Sequence, residues 1–326
     1  MKQTAQSKDD RPTHDTMTID RLFRSAVLAA CVSASAAAAA PAPVAGPPSC
    51  GELERRFEQT KADATSTQLN LALFAAADSG CVPLARLLLA AGASLEARDR
   101  LGAMALARAA RTGHAPLVEL FLAQGAAIDA RNLVGATALY GAAENERQAT
   151  VALLLAKGAD PNLPGRSGVT PLAAAAFKGN GRIVDQLIAR GADPNTVDKT
   201  GKAAITYAAA RGFALIVRRL LDAGVDPRRA YGNDLTALMW AAGHEEGVGA
   251  RSALDVIELL LDAGAPLDAV DNRGRTALMM AAEIGDAAVV EGLLGRGADP
   301  AIADKSGKRA FDLAANDGVR AKLAAR

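Results

Sequence analysis

The sequence predicts an all-α fold, a solenoid of stacked helix-turn-helix units with β-turn or hairpin loops between them. Only 3% of the 326 residues are aromatic although 50% are hydrophobic, so alanine and leucine must fill most of the core. From residue 68 onward, similar segments recur at a fixed interval, and each carries apolar residues at helical spacing. A short unit that repeats in this way cannot bury its apolar face alone, so neighbouring units must stack.

Residues 1–45 are predicted to be a leader with a secretory signal peptide. Arg21 and Arg24 precede an uncharged run, residues 25–40, and a Pro-rich stretch follows. This order of basic, apolar and small residues is typical of export signals. The run is too short to span a bilayer core of roughly 30 Å stably. We therefore expect a periplasmic or secreted protein without a membrane span.

Two alternatives stay open for this leader. One is a start at Met17, because the residues before it are polar and would make an unusually long basic region. The other is a lipoprotein, because residues 28–31 resemble a lipoprotein box whose Cys31 would carry the lipid anchor. Only six uncharged residues separate Arg24 from Cys31, which favours ordinary cleavage.

Residues 46–67 are predicted to be a linker and a capping helix, because Leu53 and Phe57 lie four residues apart on one helical face. Cys50 and Cys81 remain after removal of the leader. An even pair of cysteines in an oxidising compartment commonly forms a disulfide, so we expect a Cys50–Cys81 bridge. The alternative is two unrelated thiols, with Cys81 a small buried residue near the start of a helix.

Residues 68–326 are predicted to form about eight repeats. Copies of one apolar motif begin 33 residues apart, at Gly102, Gly135, Gly168 and Gly201. A second apolar run in each unit ends at a glycine, and these glycines are Gly125, Gly158, Gly191, Gly224, Gly264 and Gly297. A glycine just past a helix end takes the left-handed cap conformation without a Cβ penalty. The pattern therefore predicts helix, turn, helix, glycine stop and loop in each unit.

The repeats resemble those of the ankyrin family, whose signature is a 33-residue unit around T-P-L-H-x-A. Residues 170–172, Thr-Pro-Leu, match it best, and the stop G-A-D-x-N appears at residues 158–162 and 191–195. The histidine of the signature is replaced in every copy, for example by Ala173. Without this histidine, the side-chain hydrogen bond that it usually makes within the turn is not expected. The predicted fold is unchanged.

One repeat is longer than the others. The interval from Asp234 to Gly274 is 40 residues, seven more than the period. Because both flanking helical patterns are intact, the added residues are predicted to lie between two helices, near residues 245–251. Glycines and two adjacent acids in this stretch favour a loop. We expect this loop at the edge of a binding groove, beside Trp240, and a tolerated surface insertion is the alternative.

Several classes of function lack support in the sequence. The formal net charge is only +1 with both signs interspersed, so no basic surface for nucleic acid is expected. His114 and His244 follow glycines at turn positions, and Val248 stands where a zinc motif starting at His244 needs its second histidine. We predict no enzyme activity, no catalytic residue, no cofactor and no metal site.

The resemblance to ankyrin repeats implies that the first helix of each repeat lines a concave groove that binds another protein. The candidate partner-binding residues on these helices are Arg108, Arg111, Phe177, Lys178, Tyr207, Arg211, Trp240 and Met280. Tyr207, Trp240 and Met280 fall on consecutive repeats, and aromatic and arginine side chains dominate binding hot spots. Packing between adjacent inner helices is the alternative role for these three.

We therefore expect a monomeric adaptor or inhibitor that binds a protein partner outside the cytoplasm. Two alternatives remain: a structural scaffold without a dedicated groove partner, and a small-ligand-binding or enzymatic protein. A groove lined by unlike side chains favours the binder, whereas a uniformly polar groove favours the scaffold.

Overall fold

Two helices joined by a short turn form each repeat of the computed structural model, which describes residues 49–325. The inner helix of each repeat comes first and the outer helix second. The inner helices are α2 (Ser66–Ser79), α4 (Ala105–Thr112), α6 (Ala138–Glu144), α8 (Pro171–Lys178), α10 (Ala204–Ala210), α12 (Ala237–Ala242), α14 (Ala277–Ile284) and α16 (Ala310–Leu313). The outer helices are α3 (Val82–Ala90), α5 (Ala115–Ala123), α7 (Gln148–Ala156), α9 (Gly181–Ala189), α11 (Ala214–Asp222), α13 (Ala250–Asp262), α15 (Ala287–Gly295) and α17 (Asp317–Ala324). A further helix, α1 (Cys50–Thr60), precedes the first repeat.

The predicted leader, with Arg21, Arg24, Met17 and Cys31, lies outside the described residues. Within them, neighbouring repeats pack inner helix against inner helix and outer helix against outer helix. Residues 49–325 contain no β-strand, and two isolated antiparallel bridges lie in loops, one of them between Ala230 and Thr236. The predicted all-α solenoid is confirmed.

Alanine and leucine form the core, as the composition predicts. Pairs of alanines on the inner helices, such as Ala142 and Ala143, are fully buried and let neighbouring helices approach closely. Leu139 on the same helix and Leu154 on the outer helix beside it are also fully buried. Each buried leucine contributes about 1.5–3 kcal/mol relative to an exposed one, so the contacts between repeats supply much of the stability.

The ends of the helices follow from side-chain and glycine caps. Thr137 begins α6, and its hydroxyl accepts a hydrogen bond of 3.1 Å from the amide of Tyr140. Where Ala203 replaces this threonine before α10, the hydroxyl of Thr206 accepts from the Ala203 amide at 3.1 Å instead. After the outer helix α7, Gly158 takes the left-handed conformation with φ 91°, which ends the helix at the expected place.

The N-terminal helix α1 covers the first repeat. Its Phe57 is buried, and Ser49 caps its start by accepting a hydrogen bond from the amide of Glu52 at 3.3 Å. Cys50 in α1 and Cys81 before α3 are joined as a disulfide, with their Cα atoms 5.2 Å apart. The bridge ties α1 to the turn between α2 and α3.

The longer repeat differs in detail from the loop expected over residues 245–251. Its inner helix α12 ends at Ala242 and its outer helix α13 begins at Ala250, so the first part of the insertion is a loop. Helix α13 has 13 residues whereas the outer helix α11 has nine, so the rest of the insertion extends α13. Ala250 and Arg251 are good helix formers after the last glycine, which explains the extension.

Candidate protein-binding groove

The inner-helix surface is the row of accessible side chains on α4, α6, α8, α10, α12 and α14, together with Lys202 and Arg275, which precede α10 and α14. All eight candidate residues predicted from the sequence lie on these inner helices or directly after them. Lys178 and Arg111 are exposed, and Phe177, Arg108, Arg211 and Trp240 are half-buried. Tyr207 and Met280 are buried, with 8% and 7% of their surface exposed, so they act mainly as packing residues at the floor of this surface.

An aromatic row crosses three consecutive repeats. The rings of Phe177 on α8 and Tyr207 on α10 meet edge to face, with centroids 5.9 Å apart and an interplanar angle of 84°. The ammonium group of Lys202 lies 5.6 Å from the centroid of the Tyr207 ring and 4.6 Å from that of Trp240 on α12. Lys202 therefore bridges the two rings by cation–π contacts.

Arg211 connects the aromatic row to the insertion. Its guanidinium lies 4.7 Å from the centroid of the Phe177 ring and 5.7 Å from that of Phe213. One of its nitrogens pairs with a carboxylate oxygen of Glu245 at 3.1 Å, and the Glu245 amide donates to the carbonyl of Ala210 at 2.9 Å. The insertion loop thus packs on the end of α10, next to the inner-helix surface.

The base of the loop is also fixed on its other side. The side chain of His244 is 7% exposed, and its Nε2 lies 3.2 Å from a carboxylate oxygen of Asp286 in the following repeat. His114 occupies a comparable turn position and contacts the carbonyl of Asp78 in the preceding repeat at 3.0 Å. Both histidines therefore connect adjacent repeats, in keeping with the turn role predicted for them.

A buried carboxylate shapes the turn that carries Lys202. One oxygen of Asp198 accepts hydrogen bonds from the amide of Thr200 at 2.7 Å and from the amide of Lys202 at 3.1 Å. Its other oxygen accepts a short hydrogen bond from the hydroxyl of Tyr207. Burial, together with the Asp198 carboxylate, raises the pKa of Tyr207 far above its usual value, so this phenol stays neutral and donates.

A cavity of about 130 Å³ opens between α12 and α14. Its apolar lining includes Leu235, Trp240, Met280 and Ile284. Arg273, Arg275 and Glu283 also line it. Arg275 pairs with Glu283 at 2.7 Å and Arg273 pairs with Asp271 at 3.4 Å, so each arginine already has a carboxylate partner. The cavity is therefore suited to an apolar group.

A separate ionic cluster occupies the N-terminal end of the inner-helix surface. Arg108 pairs with Asp78 of the preceding repeat and, at 2.5 Å, with Asp99 of its own loop. Its guanidinium also lies 5.5 Å from the centroid of the Phe74 ring. Burial alone would raise the pKa of Asp99, but hydrogen bonds from backbone amides and from Arg108 outweigh it and lower that pKa.

Lys202 is not among the binding residues predicted from the sequence, and Glu245 is predicted only as part of the insertion near residues 245–251, although both contact predicted binding residues. Gly201 and Lys202 fit the tip of a hairpin, and that position gives no sign of contacts with rings on two repeats. The available signal is the spacing: Lys202 stands two residues before α10, where a side chain leaving the turn reaches the inner-helix surface.

Within residues 49–325, potential metal ligands come together at one place, between α1 and the start of α3. The ligand atoms of Cys50, Glu54 and Cys81 lie within 4.8 Å of one another. The two sulfur atoms are bonded as a disulfide, and a thiolate is the form of cysteine that binds metals. Among the helices of residues 49–325, none combines the length and apolarity needed to cross a membrane.

Comparisons with known proteins agree with this architecture. A family model described as ankyrin repeats matches in three copies, at residues 73–165, 172–250 and 247–321. Among solved structures, the crystal structure of the human ASB11 ankyrin repeat domain is similar, with a TM-score of 0.61 and 26% sequence identity. The match covers 68% of this chain and 96% of that one. A search of curated proteins finds no sequence that matches the chain.

Proposed function

The chain belongs to the ankyrin-repeat family, and from that premise we propose that it is an adaptor or inhibitor that holds a protein partner on its inner-helix surface. Ankyrin repeats are in general protein-interaction modules, and solenoids of this kind bind through the extended surface that their repeats build together. Members of this family bind many different partners, so membership alone does not identify a binding surface. That part of the proposal must be argued from the residues of the site.

The observation that carries the proposal is the aromatic row of Phe177, Tyr207 and Trp240 with the cations Lys202 and Arg211. A scaffold without a partner needs only a solvated polar surface on its inner helices. Here Phe177, Trp240, Lys202 and Arg211 are half-buried on one surface above the buried Tyr207, and Trp and Arg are among the residues enriched in binding hot spots. The neighbouring cavity adds an apolar recess next to Trp240.

We propose further that the protein acts outside the cytoplasm. Arg21 and Arg24 followed by the uncharged residues 25–40 support export. The disulfide between Cys50 and Cys81 supports an oxidising compartment, because such bonds are rare in a reducing cytosol. Intact-mass measurement of the protein from its native host should give an N-terminus between about residues 37 and 46. An unprocessed chain, or a lipid on Cys31, would count against this part of the proposal.

The test of partner binding is affinity capture after crosslinking in the native compartment, with three forms of the full chain. Trp240→Ala removes the centre of the inner-helix surface. Leu215→Ala is the matched control, because Leu215 is 70% exposed on the outer helix α11. Both variants must first unfold cooperatively in urea, with the slope of the parent and a folded baseline under the conditions of the capture.

The partner should be recovered with the parent and with Leu215→Ala. Recovery with Trp240→Ala should fall by roughly tenfold or more, since truncating a hot-spot residue costs about 2 kcal/mol or more. Equal recovery with all three forms, or a loss confined to Leu215→Ala, would move the binding surface away from the inner helices. Failure to recover any specific partner would favour the scaffold.

A further inference from the structure

Lys202 has an unusual position on the inner-helix surface. Its ammonium lies between the rings of Tyr207 and Trp240, at 5.6 Å and 4.6 Å from their centroids. Within the described part of the chain, Nζ forms no hydrogen bond and no ion pair, although Lys202 is half-buried. An ammonium has three donors and no acceptor, so this group can still donate hydrogen bonds to an oxygen ligand.

The two acids whose charges act on this ammonium already have other partners. Asp198 accepts hydrogen bonds from Tyr207, from Thr200 and from the backbone amide of Lys202, so both of its oxygens have donors. Glu245 pairs with Arg211 at 3.1 Å. The positive charge of Lys202 is therefore not neutralised by a direct contact. The ammonium is available to bind an anionic group from outside the chain.

Partial loss of water makes such a contact more favourable. Burial lowers the pKa of Lys202, although the charges of Asp198 and Glu245 oppose that shift. The rings on either side limit how water can surround the ammonium, and a carboxylate would restore the lost hydrogen bonds. The ammonium of an exposed lysine on the same turn, such as Lys199, stays fully hydrated, so it gains less from binding a carboxylate.

Trp240 links this cation to the apolar cavity. Lys202 contacts its ring from the preceding repeat, whereas Met280 and Ile284 of the following repeat line the cavity beside it. At about 130 Å³ the cavity compares with engineered apolar cavities of about 150 Å³ that bind benzene. It is therefore large enough to accept one apolar side chain.

We propose that Lys202 and the cavity beside Trp240 together recognise a partner segment in which an aspartate or glutamate stands close to a large apolar residue. The carboxylate binds the Lys202 ammonium and the apolar side chain enters the cavity. This inference rests on the proposed function and specifies the chemistry of the partner. Charge complementarity selects the acid, and the two arginines that line the cavity, Arg273 and Arg275, are already paired with Asp271 and Glu283.

The test uses a displayed library of random twelve-residue peptides, selected on the full chain. The same selection is run on Lys202→Gln and on Lys199→Gln, a control that makes the same charge change three residues away at an exposed position. Binding of individual selected peptides is then followed by the fluorescence of Trp240, because it is the one tryptophan in the sequence.

Peptides selected on the parent should be enriched in an acid near Leu, Ile or Phe. Lys202→Gln should weaken their binding tenfold or more, and Lys199→Gln should change it less than twofold. Replacing the peptide's acid by its amide should weaken binding to the parent by the same factor and leave binding to Lys202→Gln unchanged. In a double-mutant cycle this is the result expected if the two charges contact each other.

Two other outcomes would distinguish a failure of acid recognition by Lys202 from a failure of the groove assignment itself. Selected peptides that alter Trp240 fluorescence but carry no enriched acid, or that lose as much affinity with Lys199→Gln, would overturn the acidic recognition and leave groove binding intact. A selection that yields no peptide able to change this fluorescence would overturn both the groove assignment and the inference built on it.

Discussion

Replacing Arg108 by methionine should destabilise the chain measurably, because it leaves two carboxylates facing each other at the N-terminal end of the inner-helix surface. Arg108 pairs with Asp78 and Asp99, and its guanidinium lies over the Phe74 ring. Methionine keeps an unbranched apolar side chain but removes the charge, so the change tests the ionic and cation–π contacts of the guanidinium.

The magnitude follows from the burial of the three side chains. The exposed fractions are 24% for Arg108, 31% for Asp78 and 14% for Asp99, so the cluster lies between a surface pair and a buried one. Surface pairs contribute about 0–1 kcal/mol, whereas removing one partner of a buried pair costs about 3–5 kcal/mol. We expect a loss of about 2 kcal/mol in the free energy of unfolding.

The assay is equilibrium urea unfolding followed by circular dichroism, with Arg111→Met as the control. Arg111 is 56% exposed and reaches Asp78 only at 3.7 Å, so its replacement should cost about 0.5 kcal/mol or less. The comparison is valid only where the slope of free energy against urea is unchanged. Equal losses for the two variants would refute the assignment of a partly buried cluster.

The pH dependence gives the same cluster a second test. The pKa of Asp99 is lowered below its usual value of 3.8, so its charged form contributes stability above that pH. As the pH falls through the lowered pKa, Asp99 becomes protonated and this contribution is lost. The difference between the parent and Arg108→Met should therefore shrink below about pH 4. A difference that stays constant down to pH 2 would contradict the ionic explanation.

Three further predictions test the N-terminus, the core and the tyrosines. Reduction of the Cys50–Cys81 bridge should cost roughly 3 to 4 kcal/mol on the chain-entropy model for its separation of 31 residues, and the double Cys→Ala variant should not respond to reductant. Phe121→Ala, at a fully buried position, should cost about 3–5 kcal/mol in urea unfolding, whereas Leu71→Ala, at 60% exposure, should change stability by less than about 0.5 kcal/mol. Burial raises the pKa of all three tyrosines above 10.0, that of Tyr231 to about 12, so the absorbance of the native chain should show no phenolate step near pH 10, in contrast to the urea-unfolded chain.

The sequence period predicts the fold because it fixes equivalent positions in every repeat. Glycine stops, threonine starts and apolar spacing are all local signals, and each has the same meaning in each copy. The period also locates side chains such as Tyr207 and Trp240 on the inner helices. It does not determine which unlike side chains meet across a repeat boundary.

Those contacts depend on side chains at positions that differ from copy to copy. Arg108 pairs with Asp78, which lies 30 residues earlier in the sequence. The repeat motif does not predict an acidic residue at that position. Lys202 meets two rings because of the direction in which its stem leaves the turn. The insertion is a similar case, since its glycines indicate a loop while the residues after Gly249 continue as helix α13.

One equivalent position on the inner helices carries different side chains in different repeats. In one repeat the side chain at this position serves stability, and in others it belongs to the proposed binding surface. Arg108 stands at that position in the second repeat, where two carboxylates use its charge. Tyr207, Trp240 and Met280 occupy the equivalent position in the fifth to seventh repeats, where the Lys202 ammonium contacts two rings but has no ion-pair partner in the described residues. Repeats interact mainly with their nearest neighbours, so a change in the second repeat should not reach Lys202 in the fifth or Trp240 in the sixth. The effects of Arg108→Met on stability and of Lys202→Gln on peptide binding should therefore combine additively, and coupling between them would mean that the solenoid transmits strain across three repeats.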